Sequence, residues 1–211
     1  MSKTQFIVVR HGETAWNAQG RIQGHLNSPL NDEGLAQAVL VGNRLANEKF
    51  DALYSSDLGR TLQTAQPLVD RTHKPAIEEP RLRERHLGVF QGLTGTECER
   101  AHPADYARFR TRDPDHVVPE GESVRQTFTR VAGVFNDLAD KHSGQRIVVV
   151  THGGVLDALY RLVNQMPLEL PRNFPVFNAS LNFVSCERQR WSMESWGDIA
   201  HLTRDAALDD F

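Results

Sequence analysis

Three short apolar runs, each leading through small or polar residues into a helical pattern, constrain this chain more than any other feature. Phe6-Ile7-Val8-Val9 is continuous and partly β-branched, the pattern of a strand buried on both faces. Ala52-Leu53-Tyr54-Ser55 and Ile147-Val148-Val149-Val150 read as two further strands. After the first run, a polar stretch extends to about Asn31. Asp32–Glu48 then carries Leu35, Ala38, Val39, Gly42 and Leu45-Ala46 at helical spacing, with Asn31 or Asp32 as N-cap. Asp57 is expected to cap a helix from Leu58 to about Arg71, kinked or shortened by Pro67. Glu122–His142 is the longest helical pattern, with Val124, Phe128, Val131, Phe135 and Leu138 on one face. Val155–Asn164 follows the third run, and late strands are expected at Leu181–Cys186 and Trp191–Trp196. Arg204–Phe211 reads as a frayed, acidic tail. Strands followed by helices imply an α/β layer fold with a mostly parallel sheet. In such sheets ligands sit beyond the carboxyl ends of the strands.

Composition sets the class. The 211 residues fit one substantial domain, and such a chain buries roughly 70% of its unfolded surface without disulfide or metal staples. Hydrophobic residues at 39% exclude a disordered chain. A net charge of −3 and the lack of a basic run give no nucleic-acid or anionic-membrane surface. The apolar runs are far shorter than a signal core or a membrane span, so a cytoplasmic protein is expected. Cys98 and Cys186 fit neither a disulfide framework nor a zinc spacing. Of the 24 basic residues only four are Lys. Arg suits phosphate and carboxylate, but a GC-rich genome produces the same bias.

The residues just beyond the three strands belong together. They are Arg10-His11-Gly12-Glu13-Thr14, Ser55-Ser56-Asp57-Leu58-Gly59-Arg60 and Thr151-His152-Gly153-Gly154. Arg60 falls in the first turn of its helix and His152 just before one, where the macrodipole disfavours positive charge. Both placements become favourable if an anion occupies the space at those helix ends. Singly, Arg60 reads as a solvated side chain and His152 as a hydrogen-bonded core or rim residue. Their convergence on one sheet edge favours a phosphate-sized anion held by Arg10, Arg60, His152 and backbone N–H groups.

Other phosphate chemistries lack their motifs. There is no Gly-x-x-x-x-Gly-Lys loop, no Gly-x-Gly-x-x-Gly, no Gly-x-Ser-x-Gly and no His-x-His or His-Glu-x-x-His pair. A histidine is the best candidate nucleophile, and His11 is favoured because Gly12 allows close approach of backbone and substrate. A proton donor for the leaving oxygen is best sought in Arg81-Leu82-Arg83-Glu84-Arg85-His86. The flanking arginines oppose this by favouring the carboxylate. If the segment is extended, however, Leu82, Glu84 and His86 share one face and the arginines stay in solvent.

Val9-Arg10-His11-Gly12-Glu13-Thr14-x-x-Asn17 resembles the signature of the histidine phosphatase superfamily, also called phosphoglycerate mutase-like. Further matches are Gln23-Gly24, Asn31-x-x-Gly34, Tyr54-Ser55-Ser56-Asp57-Leu58-x-Arg60-x-x-x-Thr64-Ala65, Leu82-x-Glu84-x-x-x-Gly88 and Val150-Thr151-His152-Gly153-Gly154. The resemblance spans nearly the whole chain. It implies a three-layer α/β/α fold over residues 1–211, one domain with a lid or insertion at about 86–120. It also implies that His11 is transiently phosphorylated and that Glu84 exchanges a proton with the leaving oxygen and the attacking water. Arg10, Arg60, His152 and Asn17 would hold the phosphoryl oxygens. Gln23, Gly24 and Gly153 would complete the substrate site, with no metal and no cofactor. A neutral His11 and a protonated His152 would serve this chemistry best.

The family divides between phosphatases and cofactor-dependent mutases. Mutases carry a Gly-Leu-Asn-Lys stretch and an Arg-Arg pair, whereas Gly92-Leu93-Thr94-Gly95 lacks the Lys and no Arg-Arg occurs. Arg108, Arg110 and Arg112 could substitute, but Tyr106–Pro119 reads more like a short substrate lid. The expectation is a phosphatase acting on a small phosphorylated metabolite, with a phosphoglycerate mutase as the alternative. A non-catalytic phosphoryl-binding module is more remote, since His11 and Glu84 are both present. The substrate stays open among phosphoglycerates, sugar phosphates and nucleotide-loop precursors of cobalamin. Trp191 and Trp196 could pair an edge strand with a second copy in a homodimer, although core packing weighs more.

Overall fold

A computed structural model describes residues 2–202; the expected Arg204–Phe211 tail lies outside the described residues. The chain runs β1 (Thr4–Arg10), α1 (Ala15–Ala18), α2 (Asp32–Leu45), β2 (Ala52–Ser55), α3 (Gly59–Thr72) and β3 (Ala76–Glu78). It continues through α4 (Gly95–Ala101), α5 (Pro103–Arg110), α6 (Val124–Lys141), β4 (Arg146–Thr151), α7 (Gly153–Asn164), β5 (Leu181–Glu187) and β6 (Arg190–Asp198). The strands form one six-stranded sheet in the order β3-β2-β4-β1-β5-β6. The first four are mutually parallel, and β5 and β6 are antiparallel additions at one edge. The expected mostly parallel α/β sheet is therefore present.

Alternation along the strands divides the core. Phe6, Val8, Ile147 and Val149 face α6 and α7, whereas Ile7, Val9, Val148 and Val150 face α2 and α3. All eight are buried, each contributing about 1.5–3 kcal/mol of transfer free energy. This is why the runs are continuously apolar rather than alternating. Register then aligns the strand ends. Arg10 pairs with Thr151 and Ser55 with Val150, so the polar residues that follow all emerge at one sheet edge.

Several boundaries carry their own chemistry. Asn31 caps α2 as expected, its side chain accepting from Gly34 N at 2.8 Å. Ser123 and Gln126 close a capping box on α6. Asp57, by contrast, does not cap α3. The N-cap is Leu58, with no side-chain cap bond, because both Asp57 oxygens are taken by Arg83. Asn27 Oδ1 meets the Arg60 N–H instead, at 3.3 Å. Nor does Pro67 shorten α3, which runs on to Thr72. Pro67 packs against α2 where a Cβ on Gly42 would lie 2.9 Å from its own Cβ. Trp191 lies on Phe6, with ring centroids 5.3 Å apart, and Trp196 meets Tyr160 edge-on at 5.1 Å. Both tryptophans thus serve the core. The short β3 and the helices α4 and α5 were not anticipated; α4 and α5 surround a small core of Phe90, Cys98 and Val118.

Candidate active site

His11 continues the β1 ladder by one residue. Its N–H donates to Thr151 O at 2.9 Å, and its carbonyl accepts from Asn178 Nδ2 at 3.0 Å and Ala179 N at 3.2 Å. The imidazole is buried, and Nδ1 lies 2.7 Å from the Gly12 carbonyl. A carbonyl only accepts, so Nδ1 carries the proton and the lone pair is on Nε2. Burial pushes the His11 pKa well down, and the Arg60 and Arg10 charges push it further, against the Gly12 bond. His11 is a neutral base with one ring nitrogen available.

Arg60 is almost wholly buried. Its Nε donates to His152 Nδ1 at 3.2 Å, Nη1 to Leu26 O at 3.0 Å and Nη2 to Gly24 O at 2.8 Å. Burial pushes its pKa down to about 10; Glu84 opposes this and Arg10 adds to it. Because Arg60 can only donate, His152 Nδ1 accepts, and Nε2 is left to donate to Ser56 Oγ at 2.9 Å. Burial, then Arg60, then His11 and Arg10 hold the His152 pKa well below the ordinary value. Those contacts favour a neutral His152 ring, a point on which the sequence was silent. Arg10 donates through Nη1 to Val176 O, and its guanidinium lies under Gly153, where a Cβ would sit 3.4 Å from Nε.

Glu84 reaches the same edge. Its Oε1 accepts from Arg85 N at 2.7 Å and its Oε2 from Gly154 N, at the start of α7, at 2.9 Å. A Cβ on Gly154 would lie 2.2 Å from Oε1, so only glycine admits the carboxylate there. The flanking arginines are engaged elsewhere. Arg81 pairs with Glu79 and Asp137, and Arg83 with Asp57. Arg85, expected to stay in solvent, instead donates to Glu122 O at 2.9 Å and lies over the Phe109 ring.

The remaining expected residues have different tasks. Asn17 is tied to Thr14 in the capping box of α1, its Oδ1 accepting from Thr14 N at 3.0 Å. Gln23 is buried on the loop before α2, and Gly24 joins the site through the carbonyl that Arg60 holds. Gly12 admits the close backbone approach expected of it, because a Cβ there would fall 2.6 Å from Gly34 O.

Ser56, Thr64 and Gly154 stood in the sequence motifs without a task of their own, and Asn178 went unnoticed. Thr64 had a readable signal, one turn after Arg60 on α3. Its Oγ1 accepts from Gly12 N at 3.0 Å and donates to Arg60 O at 2.7 Å. Among the described residues, no group of three His, Cys, Asp or Glu is placed to hold a metal ion, and no helix is long and apolar enough to cross a membrane.

Chemically, two guanidiniums converge on two neutral imidazoles, with one carboxylate facing them. Desolvated positive charge of this kind is costly unless an anion neutralises it. The lowered histidine pKa values set a pH dependence. The unfolded histidines bind protons near 6.5 and the folded ones only at lower pH, so stability falls as pH drops below about 6.5. Ring-nitrogen NMR is expected to find His11 and His152 still neutral where an ordinary histidine is half protonated; titration of both as ordinary histidines would contradict the site electrostatics.

A sequence model of the histidine phosphatase superfamily (branch 1) matches residues 6–199. A metal-independent phosphoserine phosphatase of Arabidopsis thaliana is 42% identical over 203 residues, covering 95% of this chain and 84% of that protein. The phosphoglycerate mutase-like protein 4 of the same plant is 41% identical over 208 residues, covering 97% and 89%. Among solved structures, Bacillus stearothermophilus YhfR superposes with a TM-score of 0.89 at 30% identity, covering 95% of this chain and 100% of that one.

Proposed function

The chain belongs to branch 1 of the histidine phosphatase superfamily, and we propose that within it the protein is a metal-independent phosphomonoesterase working through a phosphohistidine on His11. The observation that carries this is the pinned tautomer of His11, with Nδ1 spent on Gly12 and the Nε2 lone pair held in the field of Arg10 and Arg60.

His11 Nε2 attacks phosphorus in line, forming an N–P bond as the ester P–O bond breaks. Arg10 and Arg60 stabilise the charge on the equatorial oxygens, and His152 lies among them. A bound phosphate dianion reverses the local field and favours a cationic His152. Glu84, protonated, gives its proton to the leaving alkoxide, which departs as an alcohol. The resulting carboxylate takes a proton from water, whose oxygen attacks phosphorus and breaks the N–P bond. Inorganic phosphate leaves and His11 is regenerated.

Two observations favour hydrolysis over mutase chemistry. Gly95 stands where mutases carry Lys, and a Cβ there would lie 2.7 Å from the Tyr106 hydroxyl. Arg108, Arg110 and Arg112 are exposed. For the substrate, Arg85 is the cation adjoining Glu84, and among the described residues it makes no ion pair. That suits a phosphomonoester bearing a carboxylate, and a relative named for phosphoserine makes phosphoserine the first compound to assay. Phosphate release from a panel of phosphorylated metabolites in EDTA tests the proposal. Brisk release is expected, led by carboxylate-bearing esters. Isomerisation requiring a bisphosphate primer, with negligible hydrolysis, would instead assign a mutase.

A further inference from the structure

We propose that Arg130 and Glu122 are a positioning pair that sets the proton-donating geometry of Glu84. This inference rests on the role given to Glu84 above.

The segment from Arg81 to His86 has little regular structure of its own. A single 3-10 turn ends at Leu82, and Arg83 is extended, with φ −57° and ψ 153°. Its backbone groups therefore need partners from outside. Arg130, on the second turn of α6, supplies three of them. Nη1 donates to Arg81 O at 2.8 Å and Arg83 O at 2.9 Å, and Nη2 donates to Glu84 O at 3.3 Å.

Glu122, just before α6, holds Arg130 in that position. Its Oε1 accepts from Arg130 Nε at 3.0 Å and its Oε2 from Arg130 Nη2 at 2.8 Å, a two-pronged ion pair. Glu122 also binds the segment directly. Its Oε2 accepts from His86 N at 2.9 Å, and its own N–H donates to His86 O at 2.8 Å. The side chains are only 19% and 23% exposed, so solvent competes weakly for these bonds.

The decisive feature is one peptide unit. The carbonyl of Glu84 and the N–H of Arg85 belong to the same planar trans group and so point in opposite directions. Arg130 Nη2 and His25 Nε2, the latter at 2.8 Å, hold the carbonyl end. The N–H end donates to the Glu84 carboxylate itself. Holding the carbonyl outward therefore aims the N–H at the carboxylate and fixes it against α7. Loss of Arg130 leaves the Glu84 carbonyl to His25 alone and the Arg81 and Arg83 carbonyls without their guanidinium, so the peptide and the carboxyl group it orients shift, without touching His11, Arg10 or Arg60.

Leaving-group dependence of kcat/KM reads this role directly, because p-nitrophenolate departs without a proton whereas an alkoxide needs one. In Arg130→Met, kcat/KM for an alkyl phosphomonoester is expected to fall by about 10²-fold, the cost of a misplacement near 1 Å. The value for p-nitrophenyl phosphate should fall by less than about threefold. Glu122→Gln should show the same selectivity to a smaller degree, and it remains informative if Arg130→Met fails to fold. Equal losses on both substrates, or no loss on either, would overturn the inference. Glu84→Gln separates the two levels. A selective loss there with an unselective loss in Arg130→Met removes only the positioning role, whereas an unselective loss in Glu84→Gln removes the proton-donor role on which it depends.

Discussion

Replacing His11 with alanine is expected to eliminate turnover while leaving the protein folded. Removing an attacking nucleophile costs on the order of 10⁶-fold in kcat in a well-studied hydrolase, and no other residue at this sheet edge can take its place. His152 is the nearest imidazole, with ring centroids 5.3 Å apart, but both of its nitrogens are engaged, by Arg60 and Ser56. The fold should survive because His11 is held through its backbone, by Thr151, Asn178 and Ala179. The variant should therefore unfold near the wild-type temperature and still bind inorganic phosphate through Arg10 and Arg60. Wild-type hydrolysis by this variant would remove the covalent mechanism altogether.

Arg60→Ala is expected to show the second large effect, of a different kind. Losing one preorganised donor to a developing oxyanion costs about 10²–10³-fold, and Arg60 brings a full charge with several donors, so kcat/KM should fall by at least about 10³-fold. Arg60 binds the ground-state dianion as well, so KM should rise together with the fall in kcat, unlike the His11 variant. The same guanidinium holds the carbonyls of Gly24 and Leu26. Backbone amides of that loop should therefore exchange hydrogen faster in Arg60→Ala. Lysine should not rescue it, since one ammonium cannot span His152, Leu26 and Gly24. A normal KM with an unperturbed loop would mean that Arg60 neither binds phosphate nor couples the loop to the site.

The convergence of Arg10, His11, Arg60 and His152 was legible because it follows from the register of three strands whose apolar runs are unmistakable. Once β1, β2 and β4 lie parallel, the residues after each must share an edge. The Asn31 cap and the long helix ending in Lys141 were legible for similar local reasons. What could not be read depends on partners distant in sequence. Asp57 has the chemistry of an N-cap, yet Arg83 claims it and Asn27 takes over. The arginines around Glu84 looked like its electrostatic neighbours, but two of them pair with other carboxylates, and Arg85, resting on Phe109, alone of the three keeps that relation. Gly12 was correctly singled out for a close approach, but the approaching group is the Gly34 backbone. Asn178, which holds the His11 carbonyl, lies in a loop with no periodicity to mark it. Protonation states were the least accessible, since burial dominates for both His11 and His152 and local sequence carries no measure of it.

The central claim is that the phosphoryl group passes through His11, and trapping it tests this most directly. Enzyme mixed with substrate labelled in the phosphoryl group, quenched in alkali within one turnover and digested, should yield a phosphorylated peptide containing His11. The adduct should be stable in alkali, labile in acid and attached at Nε2, the nitrogen left available by the Gly12 bond. It should be missing from the His11→Ala protein. Steady hydrolysis with no such adduct at any time within the turnover, or a phosphoryl group on another residue, would contradict the account.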